Sequence, residues 1–278
     1  MVLSLPQQLG YTQALLGTGR WALLFGAYSC LPLLNERLDW VDLPGIPSGA
    51  SAALSLALAL LVGFRIQHAY DRWWEARKLW GTLVNVSRNL AVKIRALHRP
   101  EAAEGKGLRN LIVAFCIGLK DHLRDEAELN RLPGFENDDA NVQHVPSYIA
   151  TRLYDVFAEW RSRGDLTDGQ LWVLDTEARE LLEVCGACER IKNTLISVSW
   201  RTFTRQCIVA SLLLLPWGLV GDFGGWTVVL TVLISYFVIG GEAIARHVEK
   251  PFDRGTDRLD LEQFCNGIDQ SVSEVLGK

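Results

Sequence analysis

The sequence predicts an all-α membrane protein in which four apolar helices continue into a cytosolic helical bundle. Three observations carry that reading. Hydrophobic residues fill 49% of the 278 positions against 22% charged, and the mean hydropathy is positive. Four apolar segments flank a long polar middle. No stretch of useful length alternates as a strand does, whereas Ala50–Arg99 holds no proline and only two glycines, Gly63 and Gly81. The net charge of −4, without a basic stripe, excludes the electrostatic footprint of nucleic-acid binding. Six cysteines form no spaced framework, and Cys185-x-x-Cys188 reads as two reduced thiols on a helix, since zinc normally needs four soft ligands. Met1–Arg20 lacks the basic and compact apolar regions of a cleavable signal.

Taken in order, the first span is Trp21–Leu34, which Tyr11–Leu16 either extends or precedes as an interfacial helix. The second is Ser48–Phe64, with Pro47-Ser48 as its start signal and Pro100 as the stop of one continuous helix, about 75 Å long at 1.5 Å per residue. Such a helix carries the membrane core into the cytosolic bundle, where helical patterns follow at Leu108–Asn130, Ser147–Arg163 and Asp168–Thr194. Between them, Arg131–Val145 is a polar loop. Its acidic run Glu136–Asp139 lacks the spacing of a calcium loop and reads as solvated. The third span runs from about Cys207, or from near Val198, to Val220, and the fourth is Trp226–Ile239. Pro216-Trp217-Gly218 and Gly224-Gly225-Trp226 place a tight re-entry between them.

Basic residues orient the chain. Of 28, 21 lie in Arg65–Arg205 and five follow the fourth span, whereas the short connections Asn35–Pro47 and Gly221–Gly225 carry Arg37 alone. The positive-inside rule then makes both termini cytoplasmic. The expected division is a membrane region at 1–64, a cytosolic helical region at 65–200, a second membrane region at 201–245 and a cytosolic tail at 246–278.

The densest stretch is Gly63–Gly81, where three tryptophans lie among three arginines, a lysine and two acids. Helical spacing groups Tyr70, Trp74 and Arg77 on one face and Trp73, Arg77 and Trp80 on another. Arg72–Glu75 and Glu75–Lys78 are opposite charges at i, i+3. These residues, Tyr70, Arg72, Trp73, Trp74, Glu75, Arg77 and Trp80, are expected to form a girdle fixing the long helix to its neighbours. His68, Asp71, Arg72 and Glu75 share a face that suits metal or acid–base chemistry, but a site of that kind needs further convergent ligands, and no second cluster is seen. A transporter's two-half repeat is likewise missing.

Ala69-Tyr70-Asp71-Arg72-Trp73-Trp74-Glu75-Ala76-Arg77, followed by Leu79-Trp80-Gly81, resembles the signature of the bestrophin family in its bacterial branch. Cys188-Glu189-Arg190-Ile191 and Glu249-Lys250-Pro251-Phe252 extend the resemblance through most of the chain. The match departs at Ile66-Gln67-His68, where the family usually has an asparagine. It departs again at Leu195-Ile196-Ser197-Val198, where bacterial relatives usually have two prolines.

The resemblance implies a homopentameric ion channel of a bacterial inner membrane, with one pore on the fivefold axis. Leu56, Leu60 and Phe64 recur at i, i+4 and i+8 among small residues. On the pattern alone this stripe serves a lipid-facing surface as well as a pore; the resemblance makes it the hydrophobic neck, which gates by dewetting. The family's second constriction falls at the start of the helix preceding Cys188, where Gln170 is the expected aperture residue and Gly169 and Leu171 the alternatives. Thr167 or Asp168 would be the N-cap there. Pro251–Asp257 stands where animal members carry an acidic calcium clasp, and only scattered acids remain. No obligatory metal and no cofactor are expected.

The partners expected are other copies of the chain, the lipid bilayer and small monovalent ions. Animal bestrophins conduct anions, and bacterial relatives have been described as passing monovalent cations. The non-cytoplasmic connections hold Glu36, Asp39, Asp42 and Asp222 against Arg37, an acidic outer mouth that favours cations. The alternatives are an anion channel of the same architecture, a non-conducting scaffold and a membrane enzyme.

Overall fold

The structure, a computed structural model, describes residues 5–38, 47–138, 140–194, 197–255 and 258–277, with side chains from residue 17 onward and that of Ser48 excepted. The described elements are helical: α1 (Leu5–Tyr28), α2 (Cys30–Leu38), α3 (Ser48–Leu97), α4 (Ala102–Leu123), α5 (Val145–Arg163), α6 (Asp168–Asn193), α7 (Val198–Phe223), α8 (Trp226–Val248) and α9 (Leu261–Leu276), with a 3-10 turn at Leu129–Arg131. They form two compact units. The first holds α1, α2, α3 as far as Trp73, α7 and α8; the second holds α3 from Trp74, α4, α5, α6 and α9.

The long helix forms as its punctuation predicts. Ala50 N and Ser51 N donate to Pro47 O at 2.9 and 3.1 Å, opening α3 directly after the proline. At the other end Arg99 has a left-handed φ of 53°, which breaks the ladder just before Pro100. Gly63 and Gly81 are accommodated inside it.

In the first unit the initial span differs from the expectation of one segment at Trp21–Leu34. The helix extends upstream, but it breaks at Ser29 into α1 and α2. Pro32 explains the break: its ring nitrogen cannot donate to the carbonyl four residues back, and the ring crowds that carbonyl. Ser29 caps the interruption, its hydroxyl donating to Gly26 O at 2.6 Å. A second correction concerns Pro216-Trp217-Gly218, which lies within α7 and is no part of the re-entry. Apolar surroundings and neighbouring helices tolerate an internal proline of this kind. The turn is made at Gly224-Gly225, where Gly224 takes φ 51° and ψ −125° and Gly225 is the N-cap of α8. Leu58 and Val62 pack with Ile208 and Leu212, and Phe25, Leu215, Ile234, Val238 and Ile239 flank them. α1 approaches α8 so closely that a Cβ on Gly26 would stand 2.3 Å from Val232 Cγ2.

In the second unit, buried residues of α3 recur at Ala76, Trp80, Leu83, Ser87, Leu90 and Ile94, an alternation of four and three that keeps one face inward. α4 begins earlier and ends earlier than the predicted Leu108–Asn130. It stops because Asp125 turns left-handed (φ 58°), with Glu126 N donating back to Asp121 O at 2.9 Å. α5 ends on Gly164 at φ 84°. The C-terminal tail contains an unforeseen helix: α9, capped by the Asp260 side chain, buries Leu261, Cys265, Ile268, Val272 and Leu276. It packs on α4, where a Cβ on Gly105 would meet Leu276 O at 2.6 Å.

Candidate functional site

The stripe on α3 is set by which residues the first unit takes inside. Leu58 and Val62 are 7% and 8% exposed, and Arg65, one turn further, is fully buried. Residues four and three apart share a face, so this inward row forces Leu56, Leu60 and Phe64 outward. They are 64%, 54% and 59% exposed. The small residues before and between them, Ala52, Ala53, Ser55, Ala57 and Ala59, are exposed as well. Among the described residues three helices, Gly49–Leu97, Val198–Phe223 and Trp226–Val248, are long and apolar enough to cross a membrane, and no more than 22% of each apolar window is buried. Uncovered apolar surface on this scale requires lipid or further protein against it.

Arg65 anchors the rotation of α3. Its Nη2 donates to Glu249 Oε2 at 2.6 Å, and its Nε lies 3.5 Å from Glu242 Oε2, joining α3 to the C-terminal end of α8. Arg246 reaches the other oxygen of Glu242 at 3.7 Å, and Arg72 Nε donates to Glu249 O at 3.2 Å. Two buried carboxylates around one buried guanidinium hold only if the pairing is kept, because an ion left unpartnered there is costly. Sequence reading missed this cluster. Its trace in the sequence was Glu242, three residues past the expected fourth span, which α8 takes into the same helix.

The girdle divides. Trp80 is fully buried with its ring 5.8 Å from Phe264, and the Arg77 guanidinium lies 4.8 Å over the same ring. Tyr70 stacks on Trp73 at 6.1 Å, while Tyr70 and Trp74 keep about half their surface exposed. The charges act across elements: Glu75 pairs with Arg190 of α6 at 3.0 Å, and Arg72 turns to α8. The face of His68, Asp71, Arg72 and Glu75 does not converge either, since Asp71 accepts from Gln67 Nε2 at 2.8 Å and Glu75 is held by Arg190.

At the start of α6, Thr167 is the N-cap and Gln170 completes a capping box. Gln170 Oε1 accepts from Thr167 N at 2.9 Å and from Thr167 Oγ1 at 3.0 Å, so this side chain folds back on its own turn. Gly169 is exposed and Leu171 half-buried, and the large apolar side chain standing free is Trp172, 75% exposed, which sequence reading passed over. Glu36 is exposed in the last turn of α2; Asp39 and Asp42 lie outside the described residues. Cys185 and Cys188 are buried free thiols, and burial pushes Cys185 up to about 12.

Apolar helices that need an outer cover, a bulky stripe turned outward and a charge cluster that fixes its rotation define a helical membrane protein built to present one helix face. The chain belongs to the bestrophin family: the profile of bacterial and fungal bestrophin proteins matches residues 21–274. It is 31% identical over 260 residues to a voltage-dependent anion channel-forming protein of Mesorhizobium japonicum, covering 91% of this chain and 83% of that one. To the voltage-dependent anion channel-forming protein YneE of Escherichia coli it is 30% identical over 227 residues, covering 80% and 74%. A crystal structure of a bacterial bestrophin homolog from Klebsiella pneumoniae shares the fold with a TM-score of 0.85 at 26% identity, covering 92% of this chain and 97% of that one.

Proposed function

We propose that the chain is the subunit of a homopentameric ion channel of a bacterial inner membrane, not an enzyme. Residues 1–64 and 201–245 form its membrane regions, 65–200 its cytosolic helical region and 246–278 its cytosolic tail. α1 supplies the first of four spans, and both termini are cytoplasmic. The single observation that carries this reading is the outward set of Leu56, Leu60 and Phe64, held by Leu58, Val62 and Arg65 on the inward face. Five copies around an axis would bring that stripe together as a narrow apolar neck, which excludes water unless it widens. Gln170, with Gly169 and Leu171, forms the second aperture. A back-folded glutamine leaves that exit wider than an apolar ring would.

The permeant species are small monovalent ions, with cations favoured by the acids Glu36, Asp39 and Asp42 at the outer mouth. The second reading is an anion channel of the same architecture. It is favoured by the names of the Mesorhizobium and Escherichia relatives, both anion channel-forming proteins. Purified protein in a planar bilayer tests the channel itself. Unitary currents support it, and a bilayer that stays silent at high protein density refutes it.

A further inference from the structure

The second unit holds a cluster of ligating side chains that conduction does not use. His122 stands in the last turn of α4, His144 at the N-cap of α5 and Glu189 near the end of α6. Their ligand atoms all lie within 4.8 Å of one another. Glu189 Oε1 is 2.7 Å from His122 Nε2 and 2.8 Å from His144 Nε2, and the two rings sit 4.7 Å apart at 51°. Each side chain is partly open to solvent.

We propose that His122, His144 and Glu189 form a binding site for a divalent transition-metal ion of the zinc class, with one coordination position left to water. Two imidazole nitrogens and one carboxylate oxygen are the donor set that zinc takes when it keeps an open position. Donors about 2.0–2.2 Å from a common ion stand roughly 3–3.6 Å apart, so the cluster needs only small side-chain adjustments to receive one. Burial acts to raise Glu189, but the hydrogen bonds it accepts from the two histidines outweigh it and hold the carboxylate below its ordinary range, ready to coordinate. The three donors come from three elements, so an ion would tie the end of α4, the start of α5 and α6 together across the intervening loop.

Without the ion the same atoms form a hydrogen-bonded triad, and one detail separates the two states. Ser147 N donates to His144 Nδ1 at 3.1 Å, which places the ring proton on Nε2, pointing at Glu189. Coordination through Nε2 moves that proton to Nδ1 and releases the Ser147 amide. A metal-loaded protein therefore has a tighter cluster and a looser first turn of α5.

The test uses the full-length protein, purified in detergent, stripped with EDTA and titrated with ZnCl2. The expected result is one more zinc per chain in wild type than in the His122→Ala/His144→Ala double variant. Melting temperature should rise with zinc, and exchange at the Ser147 amide should quicken. Co2+ in place of zinc should give visible absorption bands that the double variant lacks. Glu189→Gln keeps an acceptor for both histidines and so guards against simple unfolding: it should melt near the zinc-free wild type and lose its response to zinc. His247→Ala, an exposed histidine elsewhere, should respond as wild type does. Equal zinc stoichiometry in wild type and double variant, or a Glu189→Gln protein with the wild-type response, overturns the site.

Discussion

Leu60 and Leu58 are the same side chain two positions apart, and the fold gives them opposite surroundings. Leu58 is packed against Ile208 and Leu212, whereas Leu60 stands more than half exposed on the outward stripe. Leu60→Ala should therefore leave the subunit's stability close to wild type. It should also raise unitary conductance several-fold, because in the proposed pentamer five bulky side chains would leave one constriction. Leu58→Ala removes buried methyl groups instead, at a cost of about 2–5 kcal/mol, and should lower the melting temperature without widening the pore. Single-channel recording and thermal unfolding of the two variants separate these outcomes. A larger conductance gain from Leu58→Ala would mean that α3 presents its other face. Arg65 secures the difference, since rotating the helix would pull its guanidinium away from Glu242 and Glu249.

Between elements, α4 and α9 are joined by an ionic clamp whose pH limits follow from its members. Glu262 accepts from Lys120 Nζ at 2.9 and 3.0 Å and from Arg124 at 3.3 Å. The bond from Lys120, opposed by burial and aided by charge, lowers Glu262 below its ordinary 4.5. Burial acts to lower Lys120, but Glu262 and Asp121 outweigh it and raise the amine above 10.5. A lowered carboxylate contributes its stability above its ordinary value and loses it as pH falls through the folded value. A raised amine contributes below its ordinary value and loses it as pH rises through the folded one. The clamp is thus complete between about pH 4.5 and 10.5. Burial raises Asp121 and so slightly offsets the acid loss. Glu262→Gln should flatten the acid limb of the second unit's stability and, because Glu262 is what chiefly raises Lys120, flatten the alkaline limb as well. Hydrogen exchange in α9 across a pH series checks this, and an unchanged acid limb would show that the clamp contributes nothing. At this scale the sequence was only partly readable. Pro47 and Pro100 bracket α3 plainly, and Thr167 marks the start of α6. α9 carried a readable signal in the spacing of Leu261, Cys265, Ile268, Val272 and Leu276 that went unused. The end of α4 had no such sign: no proline or glycine stands there, and the left-handed turn falls on the exposed Asp125. The contacts of Arg65 with Glu249 and of Glu189 with His122 join residues 184 and 67 positions apart, and no periodicity reports them.

For the whole molecule, the outward apolar faces need lipid or further protein against them, and the proposed assembly around an axis meets part of that need. Trp74 lies about half exposed beside the girdle and is expected to pack between copies, so light scattering of the solubilised protein should give about five chains. Trp74→Ala should weaken that oligomer and leave ion preference unchanged. A wild-type monomer at working concentration would remove the axis on which the pore depends. With the axis in place, the proposed neck of Leu56, Leu60 and Phe64 would have no charge with which to choose between ions. On the proposed cytosolic side, the 21 bases and 20 acids of Arg65–Arg205 nearly cancel. In the proposed channel selection would then fall to the outer mouth, where Glu36, Asp39, Asp42 and Asp222 outnumber Arg37 and fivefold repetition would multiply the excess. Such a field draws cations over about 10 Å in 0.1 M salt and fades as salt rises. Reversal potentials in a KCl gradient should shift towards the potassium equilibrium potential. Asp39→Asn and Asp42→Asn should reduce inward current at low salt and do little at high salt. A shift towards the chloride potential instead, kept in both variants, would assign the channel to anions and leave the acidic mouth with no part in selection.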